Sequence, residues 1–406
     1  MFLAKIQIFW LLGRTLCFPF LLYIDMATDY ICPLCGNADP LYIGHLNGKP
    51  YCRKCICFRG DPVQKSVSSP KNVVLELQYH LTEEQSRLSA QIVENFKNRI
   101  NTLCWAVCGS GKTEISYGVL AYAMSRGLKC GFALPRRDVV IELYFRIKSA
   151  FPSNTVVAVY GQHTSKLEGD VVILTTHQLY RYRDYFDLLV MDEIDAFPYK
   201  GNETLISFFK ASLKGNCLMM SATPSEAIKK EFRKPNHSII ELRTRFHKNP
   251  IPVPKTIIRY GFFKYLFLVN KLRYYRKKGL QCFVFVPTIS LAQSVFEIVS
   301  VFVPNGNYVS SKRFDREKII DLFRSGFYRF LITTAVLERG VTVRNIQVVI
   351  LMADHSIYDG SSLIQISGRA GRKSDAPKGD VFFVVDKVTK PIKKAIAEIE
   401  FCNTFL

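Results

Sequence analysis

A glycine-rich turn followed by a lysine and a threonine is the first feature of this sequence that could do chemistry. In residues 103–114 (LCWAVCGSGKTE) an apolar run precedes the turn and a helix-forming stretch follows it. Gly109 and Gly111 let backbone N–H groups face phosphate oxygens, and the N-terminus of the following helix adds a positive dipole. Lys112 is expected to contact the β- and γ-phosphates of ATP, and the Thr113 hydroxyl is expected to bind Mg²⁺.

The predicted nucleotide-binding loop extends beyond the glycines on both sides. It comprises Ala106, Val107, Cys108, Gly109, Ser110, Gly111, Lys112 and Thr113. Ala106 stands where the strict phosphate-loop motif has glycine, so the short form GSGKT carries the prediction.

Two carboxylates end the apolar run in LLVMDEID (188–195). A parallel α/β sheet binds its ligands at the carboxyl ends of its strands, which is where such residues would lie. Asp192 is expected to hold the Mg²⁺ ion, and Glu193 is expected to polarise the attacking water. The alternative is a solvated acidic loop.

Four cysteines form two CxxC pairs, Cys32 with Cys35 and Cys52 with Cys55, separated by 16 residues. Four soft thiolates in two tight turns are typical of a closed tetrahedral zinc site, and the spacing is that of a zinc ribbon. The metal would supply folding energy that a 30-residue module lacks. Cys57 could replace one of the four ligands.

Short apolar runs alternate with helical stretches along most of the chain, and this order predicts α/β domains with parallel sheets covered on both faces. Proline-rich, basic residues 243–255 interrupt the pattern, which then starts again. The predicted divisions are an apolar segment 1–29, a four-cysteine module 30–60, a linker 61–72, a first domain 73–242, a linker 243–255 and a second domain 256–406.

The charge balance is strongly basic, with 55 Lys and Arg against 34 Asp and Glu and a net charge of +21. Such a surface favours a polyanion such as nucleic acid or an acidic membrane face, although charge for solubility alone is the alternative. The 48% hydrophobic content excludes a disordered chain, and the 12 cysteines do not resemble a secreted disulfide framework.

The first 24 residues are apolar, but Lys5 and Arg14 interrupt them. They lack the uninterrupted apolar stretch and small-residue cleavage site of a signal peptide, and they are too polar for a spanning helix. A packed element, a membrane-surface helix and a translation start at Met26 all remain open.

The motif order resembles that of superfamily 2 helicases and translocases. The matching segments are LTEEQ (81–85), GSGKT (109–113), ALPRRDVV (133–140), TTHQL (175–179), DEID (192–195), SATP (221–224), VFVPT (284–288), TTAVLERGVTV (333–343) and QISGRAGR (365–372). The resemblance implies two tandem RecA-like domains. It also implies that Gln85 reads adenine and that Arg136, Thr176, Thr288 and Thr334 contact a nucleic-acid backbone.

The second domain must supply positive charge to the γ-phosphate if ATP lies between two such domains. Arg369 and Arg372 are three residues apart, so both can face the cleft, with Arg372 as the first candidate. Gln365 lies on the same face and could sense the γ-phosphate or the water that couples it. The alternative is that these are surface residues of a basic protein.

Within the superfamily, the four-cysteine module joined to this motor is similar to the ComFA family of late-competence DNA-uptake ATPases. That resemblance implies a cytoplasmic motor at the inner face of the membrane, acting on incoming single-stranded DNA beside the uptake channel and other competence proteins. A primosomal-type helicase, an RNA helicase and an ATP-gated DNA-binding adaptor remain alternatives. The motifs leave direction of movement and oligomeric state open.

Overall fold

The computed structural model describes residues 30–64, 69–107, 109–245, 249–334, 343–372 and 375–405. The predicted apolar segment 1–29, Cys108 and most of the TTAVLERGVTV motif (335–342) lie outside these residues. The chain divides after Arg59 into two compact units.

The first unit is a small module built on one antiparallel pair. β1 (Ile43–Leu46) pairs with β2 (Lys49–Cys52), and Gly48 makes the turn with a positive φ of 74°. Both CxxC pairs are buried, while large apolar side chains such as Leu41 and Leu46 are exposed. Since so little apolar surface is buried, the four thiols form the centre of this unit.

The second unit contains two parallel sheets, as the alternation of apolar runs predicts. The strands of the first sheet are β3 (Asn101–Ala106), β4 (Cys130–Leu134), β5 (Val156–Val159), β6 (Val171–Thr175), β7 (Phe186–Asp192), β8 (Leu213–Ser221) and β9 (His237–Leu242). Its spatial order is β5-β6-β4-β7-β8-β3-β9, and its central strands are buried on both faces.

Helices cover this first sheet. They are α1 (Glu83–Lys97), α2 (Lys112–Ser125), α3 (Arg137–Ala150), α4 (Glu203–Ser212) and α5 (Glu226–Glu231). Helix α1 begins at a capping box in which the Thr82 hydroxyl accepts from the Gln85 backbone. Its apolar residues Leu88 and Ile92 are buried in a core that continues through α2.

The second sheet has six strands in the order β10-β15-β14-β11-β13-β12, all paired in parallel. The strands are β10 (Lys255–Ile258), β11 (Gln281–Phe285), β12 (Gly306–Val309), β13 (Phe330–Thr333), β14 (Ile346–Leu351) and β15 (Val381–Val385). Its helices are α6 (Phe263–Lys277), α7 (Ile289–Ser300), α8 (Arg316–Arg324), α9 (Gly360–Ser367) and α10 (Lys390–Asn403). Apolar cores lie on both faces of the sheet.

The two domains of the second unit contact each other along one edge. Lys200 pairs with Asp359 at 2.6 Å, and Arg316 pairs with Asp138. Val107, from the phosphate loop, packs with Ile399 and Cys402 of α10. All four residues of the two ion pairs lie after the carboxyl ends of strands, so the contacts join those ends of the two sheets.

None of the described helices is both long and apolar enough to cross a bilayer.

Candidate nucleotide site and metal centre

The phosphate loop connects β3 to α2, as the sequence predicts. Gly109 and Gly111 both have φ of 82°, a left-handed conformation that favours glycine. Gly111 is the N-cap of α2, so Lys112 and Thr113 begin the helix, and the backbone N–H groups of its first turn point out of its end. Ser110 is buried, and its hydroxyl has no hydrogen-bond partner among the described residues. A buried hydroxyl without a partner fits a loop whose ligand is a phosphate.

The carboxylates of the DEID motif lie beside this loop because β7 and β3 are separated by only β8. Lys112 Nζ is 3.8 Å from Asp192 Oδ1, and both side chains are largely buried. Glu193 has a left-handed φ of 59°, which is uncommon for a residue with a side chain. Burial raises the pKa of Cys104, on β3, to about 12, so this residue stays a neutral thiol near the charged pair.

Gln85 links the LTEEQ segment to the phosphate loop. Its Oε1 accepts from the Thr82 backbone at 2.9 Å, and its Nε2 donates to the Ser110 carbonyl at 2.7 Å. The side chain is buried and both ends of the amide are engaged within the protein. Its predicted contact with adenine stays a prediction, whereas its contact with the loop is direct.

Asp195, the last residue of DEID, is a functional candidate that the sequence analysis missed. Its carboxylate accepts from Ser221 Oγ at 2.9 Å, from Thr223 Oγ1 at 2.6 Å and, across the domain boundary, from Gln365 Nε2 at 2.6 Å. Asp195 therefore joins the DEID motif, the SATP motif and α9 of the second domain. Its position at the end of the DEID motif is the sequence signal that could have identified it.

The segment that follows α9, residues 368–372, carries Arg369 and Arg372 and is called here the arginine-bearing loop. It lies against the phosphate loop. A β-carbon placed on Gly109 would be 3.8 Å from Cγ of Arg372. Arg369 is buried in the same loop. The structure thus brings Gln365 and Arg372 to the first domain, with Gln365 contacting Asp195.

The four residues predicted to contact nucleic acid all follow the carboxyl ends of strands. Arg136 and Thr176 follow β4 and β6, and Thr288 and Thr334 follow β11 and β13. Thr288 is exposed and caps α7, and it lines an open cavity of about 300 Å³ with Met352 and His355. Thr176 and Thr334 are buried, and the Thr176 hydroxyl itself is not accessible in this arrangement.

The thiols of Cys32, Cys35, Cys52 and Cys55 lie within 4.8 Å of one another. The Sγ atoms of Cys32 and Cys55 are 4.0 Å apart, and those of Cys35 and Cys52 are 3.8 Å apart. A tetrahedron with metal–sulfur bonds of about 2.3 Å has edges of roughly 3.8 Å, so the cluster could hold a metal ion. Burial raises the pKa of the Cys55 thiol, and the neighbouring Cys35 thiol raises it further. A bound cation would oppose both effects and favour the Cys55 thiolate.

Two protein-family profiles match the second unit. The family described as "Type III restriction enzyme, res subunit" matches residues 78–226, and "Helicase conserved C-terminal domain" matches residues 264–374. Each match falls on one of the two parallel-sheet domains.

Among curated proteins, the chain is similar to Competence protein ComFA of Streptococcus pneumoniae, with 36% identity over 373 residues, 88% of this chain and 86% of the relative. Competence protein ComFA of Bacillus subtilis is 33% identical over 397 residues, 92% of this chain and 86% of the relative. A transcription-repair-coupling factor of Staphylococcus aureus is 23% identical over 332 residues, which is 74% of this chain but only 27% of that protein.

Among solved structures, Saccharomyces cerevisiae Dbp5 bound to RNA and ADP BeF3 superposes with a TM-score of 0.61 at 17% identity, covering 80% of this chain and 92% of that one. RecG bound to a three-way DNA junction gives 0.55 at 22% identity, covering 83% of this chain and 48% of that one. Likeness at these identities shows the fold alone, and it confirms the predicted pair of RecA-like domains.

Replacing Gly111 by alanine is expected to abolish nucleotide binding. The new methyl group would clash with Gln85 Nε2 and would sit on a backbone with φ of 82°. Gly201→Ala is the matched control, because Gly201 has φ of 73° and nothing within 4 Å of the new atom. Both variants should lose about 1–2 kcal/mol of stability through backbone strain, but only Gly111→Ala should lose binding of a fluorescent ATP analogue. Equal affinities in the two variants would contradict the assignment of the loop.

Proposed function

We propose that this chain is a motor that moves along single-stranded DNA. The chain belongs to the ComFA family of competence proteins. The family and its two helicase domains make the protein an ATP-dependent helicase or translocase that acts in competence DNA uptake. The single-stranded track and the roles of individual residues are the proposal. The observation that carries it is the contact of the arginine-bearing loop of one domain with the phosphate loop of the other.

ATP binds, in this proposal, on the loop from Ala106 to Thr113. The first-turn N–H groups of α2 and Lys112 hold the phosphates. The Thr113 hydroxyl and the Asp192 carboxylate are hard oxygen donors of the kind Mg²⁺ prefers, so these two residues would hold the ion beside the phosphates. Asp192 also lies close enough to Lys112 to offset its charge.

Hydrolysis needs an activated water and charge stabilisation on the γ-phosphate. Glu193 orients the water from the strained turn after β7, where its backbone φ of 59° fixes the direction of the side chain. Arg372, and Arg369 behind it, bring positive charge from the second domain. Such arginines contribute about 10³–10⁵-fold to phosphoryl transfer, so hydrolysis depends on closure of the domains.

Asp195 couples hydrolysis to the relative movement of the domains. Its three hydrogen bonds reach the SATP segment in its own domain and Gln365 in the other. When ATP is lost and the arginine-bearing loop withdraws, the bond to Gln365 breaks while those to Ser221 and Thr223 remain. Gln365 therefore acts through Asp195 in this arrangement.

The DNA track runs along the shared edge on which the strands of both sheets end. The residues proposed to contact DNA lie there, after strands other than those that precede the ATP residues. They are Arg136, Thr176, Thr288 and Thr334. Such groups contact backbone rather than bases, which suits a motor that must pass any sequence. The buried hydroxyl of Thr176 would have to become accessible when DNA binds.

The choice of DNA over RNA rests on the family, because backbone contacts alone do not distinguish the two. The membrane DNA-uptake channel and other competence proteins are proposed partners, with a location at the cytoplasmic face of the membrane. An RNA helicase and an ATP-gated adaptor are the alternatives. ATP turnover with single-stranded DNA, duplex DNA or poly-U separates them: single-stranded DNA should stimulate it most, whereas preferential stimulation by poly-U would favour the RNA helicase.

Zinc is the metal that we propose for the four-thiol cluster. Its preferred tetrahedral thiolate geometry agrees with the sulfur separations of 3.8 and 4.0 Å. Cys57 is exposed and lies outside the buried cluster, so it is not the fourth ligand in this arrangement. Basic residues of the module, Lys49, Arg53, Lys54 and Arg59, are proposed to contact phosphates.

Lys112→Ala should lower ATP turnover by at least ~10²-fold, the scale of losing one preorganised charge-stabilising group. Its side chain contacts Asp192 rather than the core, so circular dichroism and single-stranded DNA binding should change little. Lys97→Ala, on an exposed surface of the same domain, is the control. Near-normal turnover by Lys112→Ala would refute the role of the loop.

The purified protein should contain one zinc ion per chain. Changing Cys32 and Cys52 together to serine should remove it, since one ligand is lost from each pair, whereas Cys57→Ser should retain it. Elemental analysis measures both. A metal-free wild-type protein, or zinc retained by the double variant, would refute the site.

Binding to single-stranded DNA should weaken steeply with salt if the charge of +21 serves a phosphate track. A track of about five phosphate contacts gives a slope of log K against log salt near −3 to −4. Titrations of oligo-dT and a mixed-sequence strand at several salt concentrations measure it. A flat response with strong preference for one sequence would indicate a base-reading module instead.

A further inference from the structure

Arg245 is a buried arginine in the segment that joins the two domains. It follows β9 of the first domain, and only 2% of its surface is exposed. Its Nη1 donates to the carbonyls of Ala370 at 3.3 Å and Gly371 at 2.7 Å, and its Nη2 donates to that of Gly368 at 3.2 Å. All three carbonyls belong to the arginine-bearing loop of the second domain.

The same side chain also lies against the phosphate loop. A β-carbon placed on Gly109 would be 3.8 Å from Nε and 4.0 Å from Cδ of Arg245, and 3.8 Å from Cγ of Arg372. Gly109 therefore faces the linker arginine and the proposed catalytic arginine at once. Arg245 thus lies in the linker, donates hydrogen bonds to the second domain and packs against the phosphate loop.

A cation at this place also completes the end of α9. Gly368 is the C-cap of α9, and the last turn of the helix has no basic residue of its own. The carbonyl end of a helix carries partial negative charge, which a buried guanidinium offsets. Arginine is suited to this task because its planar fork offers five donors in fixed directions, whereas lysine offers a single nitrogen.

We propose that Arg245 is a positioning residue that sets the arginine-bearing loop against the phosphate loop, so that closure of the domains brings Arg372 to the γ-phosphate. The inference rests on the proposed roles of Lys112 and Arg372. Arg245 itself acts through the loop carbonyls and through packing on Gly109. Its effect therefore falls on the rate of hydrolysis and on binding of a transition-state mimic, with ground-state ATP binding left to the first domain.

Arg243, two residues earlier, offers a matched comparison. Its guanidinium lies over the rings of Trp105, Phe401 and Phe405 at 4.8–5.0 Å and pairs with Glu241 at 2.6 Å. It thus also contacts both domains, but within the described part of the chain its hydrogen bond goes to Glu241 and not to the arginine-bearing loop. A residue that only holds the domains together should behave like Arg243, and a residue that positions the loop should not.

The test uses the full-length chain with Arg245→Met, Arg245→Lys and Arg243→Met, alongside Lys112→Ala and Arg372→Ala. Methionine keeps an unbranched stem against Gly109 and removes the donors, and lysine keeps the charge. ATP turnover with saturating oligo-dT gives kcat and KM, and thermal melting reports folding. Competition against a fluorescent ATP analogue gives the affinities for ADP and for ADP with aluminium fluoride, which mimics the transition state.

Arg245→Met is expected to lower kcat by about 10–100-fold, the scale of a misplaced catalytic group, with KM for ATP within about threefold. Affinity for ADP with aluminium fluoride should fall by about the same factor as kcat, while ADP affinity stays the same. Arg245→Lys should recover only part of kcat, and Arg243→Met should stay close to the wild type in kcat, in KM and in both affinities.

Unchanged kcat in Arg245→Met, beside impaired Lys112→Ala and Arg372→Ala, would overturn the inference and leave the proposed function standing. Equal losses in Arg245→Met and Arg243→Met that track their melting temperatures would overturn it too, since both arginines would then only hold the domains together. Normal turnover by Lys112→Ala and Arg372→Ala would instead refute the proposed site on which the inference rests.

Discussion

The contact between the phosphate loop and the second domain is the constraint on which the rest of this structure depends. In the proposed mechanism neither domain carries a complete ATP site, because one holds the lysine and carboxylates and the other holds the arginines. Gly109 lies at this contact, since a β-carbon placed on it would be within 4.0 Å of both Arg245 and Arg372. The interdomain ion pairs and the packing of Val107 on α10 hold the same edge. In the proposed mechanism, hydrolysis is therefore tied to closure of the two domains.

The order of strands in each sheet separates two tasks along that edge. In the first domain the residues proposed to bind ATP follow β3 and β7, whereas those proposed to contact DNA follow β4 and β6. The second sheet repeats the division, with Thr288 and Thr334 after β11 and β13 and the arginine-bearing loop after α9. Because parallel strands end at a common edge, a rigid movement of one domain displaces both sets together. Closure of the domains around ATP would therefore shift the proposed DNA-contacting positions of the first domain relative to those of the second.

Much of this arrangement could be predicted from local sequence, because apolar runs bounded by turns correspond to buried strands. The short or mixed strands β9 (HSIIEL) and β10 (KTII) escaped prediction, as their patterns are only partly apolar. Asp195 and Arg245 escaped because their importance lies in contacts with residues over 100 positions away. Apolar character alone would place Phe262 and Phe263 in the core, yet both are exposed where α6 begins. The roles of individual site residues and the bounds of the domains stay predictions.

Release of streptavidin from the end of a biotinylated oligo-dT strand tests the central claim most directly, since only a motor that steps along the strand pushes it off. The account predicts that ATP accelerates release well beyond the rate with a non-hydrolysable analogue, and that Lys112→Ala and Arg372→Ala abolish the acceleration. It also predicts that release is faster from one end than from the other. Rapid DNA-stimulated ATP turnover with no acceleration at either end would contradict the account, because hydrolysis would then be uncoupled from movement.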